Sequence, residues 1–218
     1  MTTSDTTPRR LTFFEELEEQ RWDDHRYYHQ SRINQSLHLF SACCFLTTYA
    51  LLFWKPAAAA LFGWPIAMWS RQIGHFFFEP KGYDDVNKAT FEHKEAIKVG
   101  YNLKRKIVLM TIWILAPFAL LVDPSLFGIF RPAENVSQQI EHVGLIWLAV
   151  GAGGLLFRTV HLFFLRDVQT GLVWMTKILT DPFNDLLLYH RAPLALLRGE
   201  LIDPMLEIEQ EMQQEPGA

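Results

Sequence analysis

Four long runs with almost no charge constrain this chain more than any other feature. Residues 39–54, 57–70 and 107–122 carry no charged side chain, and residues 143–165 are interrupted only by Arg158 and His161. A helix that crosses a membrane needs about 20 apolar residues, and a shorter run reaches that length by borrowing amphipathic flanks. Lys55-Pro56 separates the first two runs, which therefore read as a tight helical hairpin. Pro117 lies inside the third run, where a membrane helix tolerates a kink. The predicted fold is all-α: a polytopic membrane protein with a four-helix transmembrane bundle and polar helices at both ends. The parts are an N-terminal cytoplasmic amphipathic segment (1–38), a four-span membrane domain (39–165) with a cytoplasmic loop at 71–106, and C-terminal cytoplasmic helices (166–218). The competing account of the first two runs is a pair of core helices in a soluble protein.

Composition agrees. Half of the 218 residues are hydrophobic and 20% are charged, below the usual quarter. A net charge of −4 argues against a nucleic-acid partner. Cys43 and Cys44 are adjacent inside an apolar run. That is neither a zinc spacing nor a disulfide framework, and it fits a reducing or membrane-buried setting.

At the N-terminus, Thr12-Phe13-Phe14-Glu15 reads as a capping box that opens an amphipathic helix. Near the C-terminus, Asp181-Pro182 and Asp203-Pro204 read as helix starts, with Asp as the cap and Pro in the first turn. Basic residues set the expected orientation. Eight Lys or Arg lie in 71–106, and Arg21, Arg26 and Arg32 precede the first run, whereas the opposite side has Lys55 and Arg131. Both termini are then cytoplasmic in a multi-pass integral membrane protein of a bacterial inner membrane or endoplasmic reticulum. Seven of the eight histidines fall on the cytoplasmic side or just inside it, and His142 alone falls on the other.

Histidine is the commonest metal ligand. Gln72, His75 and Glu79 share one face of a helix that Pro80 stops, and Gly74 allows another backbone to approach. His29 and His38 are nine residues apart and would face opposite ways on a straight helix. Both can ligate one metal only if the chain bends between them, at Gln30-Ser31-Arg32. Asn34 and His38 share a face. Arg158 and His161, three apart, are expected to turn toward the bundle interior because a lipid-facing Arg is costly. A His-rich site with open positions suits Fe(II) and O2. Arg71 and Arg158 are the candidate forks for a carboxylate head.

The order His29, Asn34, His38, then Gly74-His75 and Glu79, resembles the 2-hydroxy fatty acid dioxygenases of the fungal α-oxidation type. The resemblance covers roughly residues 25–85. The hairpin between His38 and His75 is shorter than in the fungal members, and the chain beyond about residue 140 has no counterpart in them. The resemblance implies Fe(II)-dependent removal of the carboxyl carbon of a 2-hydroxy fatty acid, with O2 and without 2-oxoglutarate. Iron would be held by His29, His38 and His75, with His93 or Glu79 completing the shell and Glu79 and Asn34 at catalytic positions. The alternative function is a non-enzymatic lipid-binding or scaffold protein whose histidines serve structure. The His-x-x-His-His boxes of di-iron lipid desaturases do not occur. Oligomeric state is not legible in the residues.

Overall fold

A computed structural model describes residues 9–205. Among them it is all-helical, with isolated β-bridges and no strand. Helix α1 (Phe13–Tyr28) opens on the expected capping box, with Thr12 and Glu15 each accepting from the other's backbone N–H. It ends at His29, and α2 (Arg32–Leu52) begins after Ser31, whose hydroxyl accepts from the N–H of Asn34. The bend expected at residues 30–32 is therefore present.

The second apolar run departs from a uniform span. It is one helical rod assembled from α3 (Pro56–Phe62), a π-helical stretch Gly63–Met68, α4 (Trp69–Ile73) and a second π-helical stretch Gly74–Phe78. Pro65 has no N–H to continue an α-helical ladder, and the first widened stretch forms around it. Ser41 and Ser70 both donate to the carbonyl of Ala67 in that stretch, at 2.7 and 2.9 Å. The first of these bonds ties the rod to α2.

Helix α5 (Phe91–Ile97) follows in the polar loop. Then α6 (Leu103–Leu115) passes through a 3-10 turn at Ala116–Phe118, beside Pro117, into α7 (Ala119–Val122). Helix α8 (Val136–Leu165) lies against α3, where Gly144 makes the approach possible: a Cβ there would sit 2.5 Å from the carbonyl oxygen of Ala57. Helix α9 (Val168–Tyr189) packs on α1, α2 and α8, and α10 (Ala192–Leu197) follows it.

Among the described residues, Arg32–Leu52, Leu103–Val122 and Val136–Leu165 are long and apolar enough to cross a membrane. Three such helices stand where four spans were expected; the second apolar run is the broken rod. The outer faces of the long helices carry large apolar side chains in the open, among them Phe40, Ile107, Val108, Leu121, Phe157 and Phe164. The side that α2 and α8 turn inward is unusually polar: Asn34, Gln35, His38, Ser41 and Arg158 are all buried. Apolar outside and polar inside is the arrangement a lipid solvent favours.

The Asp181-Pro182 expectation is corrected. Both residues lie inside α9, which continues through the proline to Tyr189. Tyr49 donates to the carbonyl of Leu179 at 3.1 Å, close to that interruption. Asp203 caps no helix within the described residues; its carboxylate accepts from the N–H of Met205 in a local turn, and a helix further on would lie outside them. Helix α2 starts at Arg32, ahead of the apolar run at 39–54. The C-terminal part is packed into the rest. Asp203 N–H donates to Gln30 O at 2.7 Å and Arg32 N–H to Leu201 O at 2.9 Å, so this segment pins the bend between α1 and α2.

Candidate metal centre

His29, His38 and His75 meet. One ligand atom from each ring lies within 4.8 Å of the other two, and the ring centroids of His29 and His38 are 4.0 Å apart. Three elements bring them there: the bend after α1 carries His29, the second turn of α2 carries His38, and the second π-helical stretch carries His75. The rod runs back along α2, which returns His75 to the level of His38. The wide π turn directs His75 and the following Glu79 toward one another, and Nδ1 of His75 lies 2.8 Å from Oε2 of Glu79.

Each imidazole is anchored through Nδ1. For His29 the partner is the Tyr189 hydroxyl at 2.8 Å and for His75 it is Glu79, while Nδ1 of His38 faces the Arg71 Nε–H at 3.3 Å and Asp185 Oδ2 at 3.4 Å. With Nδ1–H donated outward to the Tyr189 and Glu79 oxygens, Nε2 of His29 and of His75 keeps a lone pair for the interior. The Tyr189 hydroxyl can then donate onward to Nδ1 of His25, 3.3 Å away. Burial raises Tyr189 well above the ordinary phenol range, and the Asp185 carboxylate raises it further, so the hydroxyl keeps its proton. Burial and the neighbouring His38 ring hold His29 well below the ordinary imidazole range, against the pull of Asp24. A neutral imidazole is the form that ligates a metal.

Nε2 of His29 and Nε2 of His38 are buried with no hydrogen-bond partner. An unsatisfied buried polar atom costs about 1–3 kcal/mol. A metal cation bound between these nitrogens satisfies them at once, so the donor set fits a metal. Three imidazoles suit iron, zinc, copper or nickel and do not by themselves choose among them.

The other residues singled out in the sequence take varied places. Glu79 is buried and stands behind His75, with Oε1 3.4 Å from Lys98. Asn34 is a tether: its Nδ2 donates to the carbonyl of Tyr28 at 2.8 Å, and its Oδ1 faces Gly74. A Cβ on residue 74 would lie 2.1 Å from that oxygen, so a side chain rather than a backbone makes the close approach. His93 is exposed on α5 and does not join the three histidines. Arg71 is next to the site but committed. It is ion-paired to Asp185, and its Nε–H points at Nδ1 of His38, 3.3 Å away. Arg158 is buried as expected and hydrogen-bonded to His161 at 3.2 Å. Its other contacts are the carbonyls of Val99 and Gly100, and it does not line the cavity described next.

A cavity of about 420 Å³ opens from the three histidines into the bundle. Its deep part is apolar and includes Trp64, Met68, Met110, Trp113 and Trp147. Trp64 and Trp113 stack at 4.1 Å, while Trp113 and Trp147 exchange indole-to-carbonyl hydrogen bonds of 2.9 Å.

Asp185 and Tyr189 were not among the residues singled out in the sequence. The signal was present: Lys177, Asp181, Asp185 and Tyr189 recur every four residues and draw one polar stripe along an otherwise apolar helix. Lys177 pairs with Asp24 and Asp181, which fixes α9 against α1.

Fold and site together define an all-helical protein of membrane type with a buried three-histidine centre at the head of an apolar cavity. Residues 14–93 match the family described as 2-hydroxy-palmitic acid dioxygenase Mpo1-like. The match contains His29, Asn34, His38, Arg71, His75, Glu79 and His93, and it leaves Lys106, Asp185 and Tyr189 outside. No curated protein and no solved structure matches the chain.

Proposed function

We propose that the protein is a non-haem Fe(II)-dependent dioxygenase that shortens a 2-hydroxy fatty acid by one carbon at the cytoplasmic face of a membrane. The observation that carries this reading is the convergence of His29, His38 and His75, each anchored through Nδ1, at the polar head of an apolar cavity. The family description adds the substrate class and the use of O2. The overall reaction balances without an outside reductant: the 2-hydroxy acid and one O2 give the acid one carbon shorter, CO2 and water. Bound at the three imidazoles, Fe(II) would supply the redox chemistry that lets O2 react with an organic acid.

The chain's own residues do the rest. Tyr189 and Glu79 hold the His29 and His75 rings and keep their Nδ1 protons in place, and Arg71 with Asp185 holds the His38 ring. Asn34 fixes the bend that carries His29. The apolar cavity takes the acyl chain, each buried methylene contributing about 0.8 kcal/mol, and excludes water from the reacting end. The iron-loaded protein, given 2-hydroxypalmitate and O2, is expected to release pentadecanoate with one O2 consumed per acid, and to leave palmitate unchanged. Iron-loaded protein that consumes no O2 with the hydroxy acid would refute this.

The orientation belongs to the same proposal. The start of α2, the end of the broken rod, the start of α6 and the end of α8 lie at one end of the bundle, where Tyr101 donates to the carbonyl of Gly154 at 2.6 Å. That end carries the basic 71–106 segment and is cytoplasmic by the positive-inside rule. A cysteine introduced at exposed Lys81 should resist an impermeant thiol reagent in intact cells and react after permeabilisation. Labelling in intact cells would reverse the topology.

A further inference from the structure

The sequence offered Arg71 and Arg158 as partners for a carboxylate head, and the structure commits both elsewhere. Arg71 is held by Asp185, and Arg158 is spent on Val99, Gly100 and His161. The remaining cations lining the cavity are Lys98, Lys106 and Lys177. Lys177 pairs with Asp24 and Asp181. Lys98 pairs with Glu79 at 3.4 Å and Glu95 at 3.7 Å, and lies 3.5 Å above the Tyr28 ring. The Lys106 ammonium has no hydrogen bond or ion pair with any described residue.

Its position is informative. Lys106 lines the main cavity together with His75, and the two also share a smaller recess with Glu79 and Lys98. The nearby carboxylate of Glu79 is already used on both oxygens, by His75 and Lys98, and so does not compete for the ammonium. Lys106 also sits on α6 in register with Leu109, Met110 and Trp113, all of which line the cavity. These positions, i, i+3, i+4 and i+7, form one helix face. That face presents a cation at its start and an apolar stripe over the next ~10 Å. One charge followed by an apolar run is the complement of a single-headed anionic amphiphile.

We propose that Lys106 binds the carboxylate of the fatty-acid substrate and so selects a free acid over a neutral lipid. This rests on the reading of the cavity as an acyl site. A half-buried ammonium without a counter-ion gains from an incoming carboxylate, and a head held there places the adjoining carbons beside His75.

The test is equilibrium binding to the iron-loaded protein under argon, read by quenching of cavity tryptophan fluorescence, with 2-hydroxypalmitate and its methyl ester as probes. Wild type should bind the acid more tightly than the ester. Lys106→Met should weaken the acid about 10- to 100-fold, the scale of one hydrogen bond to a charged group. Its affinity for the ester and its iron content should be unchanged, which also reports that it folds. Lys106→Arg should recover most of the affinity for the acid. If wild type prefers the acid and Lys106→Met keeps that preference, Lys106 is not the anchor while the acyl-site reading survives. If wild type binds neither probe, or both equally, the acyl-acid reading fails and the Lys106 assignment fails with it.

Discussion

Replacing His75 by alanine is expected to strip the protein of iron, while His142→Ala leaves the iron in place. His75 is one of only three imidazoles that converge, and the variant leaves two neutral nitrogens to hold a divalent cation. Loss of an outer partner of a metal ligand typically costs about 10- to 100-fold in affinity, and loss of the ligand itself should exceed that. His142 lies near the start of α8 and stacks on Phe130 at 4.4 Å. It serves as a control of the same chemistry in a different place. The measurement is iron per chain after dialysis against a weak chelator. Equal iron in the two variants would remove the metal centre and the dioxygenase reading together. Iron lost from His75→Ala, with no turnover of 2-hydroxypalmitate by the wild type, would leave the centre standing and change only the substrate.

Asp185→Ala should produce the largest loss of stability among substitutions near the site, about 3–5 kcal/mol. It takes the close partner from the Arg71 guanidinium, whose side chain is only 13% exposed, and leaves only the longer ion pair to Asp181 at 3.9 Å. Thermal unfolding in detergent would register the loss. The double variant Arg71→Met/Asp185→Leu removes both charges and should regain most of the lost stability, because an apolar pair carries no desolvation cost. It should still bind iron more weakly than wild type, since His38 loses both groups that hold its Nδ1, the Arg71 guanidinium and the Asp185 carboxylate. Stability and metal affinity would thus separate in one pair of proteins. An Asp185→Ala protein as stable as wild type would show that the ion pair contributes little to the fold.

The two variants differ in how visible their targets were beforehand. His75 announced itself: it ends an apolar run, has Glu79 four residues on and Pro80 behind, and shares its spacing pattern with a known family. Asp185 stood in a stretch that read as a separate C-terminal helix, with Asp181-Pro182 as its start. A proline in the first turn and a proline inside a helix look alike in one dimension. The ambiguity was resolved by packing, because α9 lies along α1, α2 and α8 and stays helical through Pro182. The mislocated carboxylate fork has the same origin. Arg71 and Arg158 are chemically suited to bind an anion, but a charge is available only if nothing in the fold has claimed it.

What the amino-acid order determined by itself was local or periodic. The capping box at Thr12, the apolar runs, the necessary bend between His29 and His38 and the glycine before His75 all depend on a few neighbouring residues and on the length a bilayer demands. The tertiary structure decided everything that depends on which helix faces which. It returned His75 to the level of His38 through a rod with two π-helical stretches, and it brought Tyr189 and Asp185 across 160 and 147 positions to stand behind His29 and His38. It also left His93 exposed and Lys106 without a partner among the described residues. Helical periodicity gives each side chain a direction around its own axis, whereas pairing across the bundle depends on how several helices fill space together.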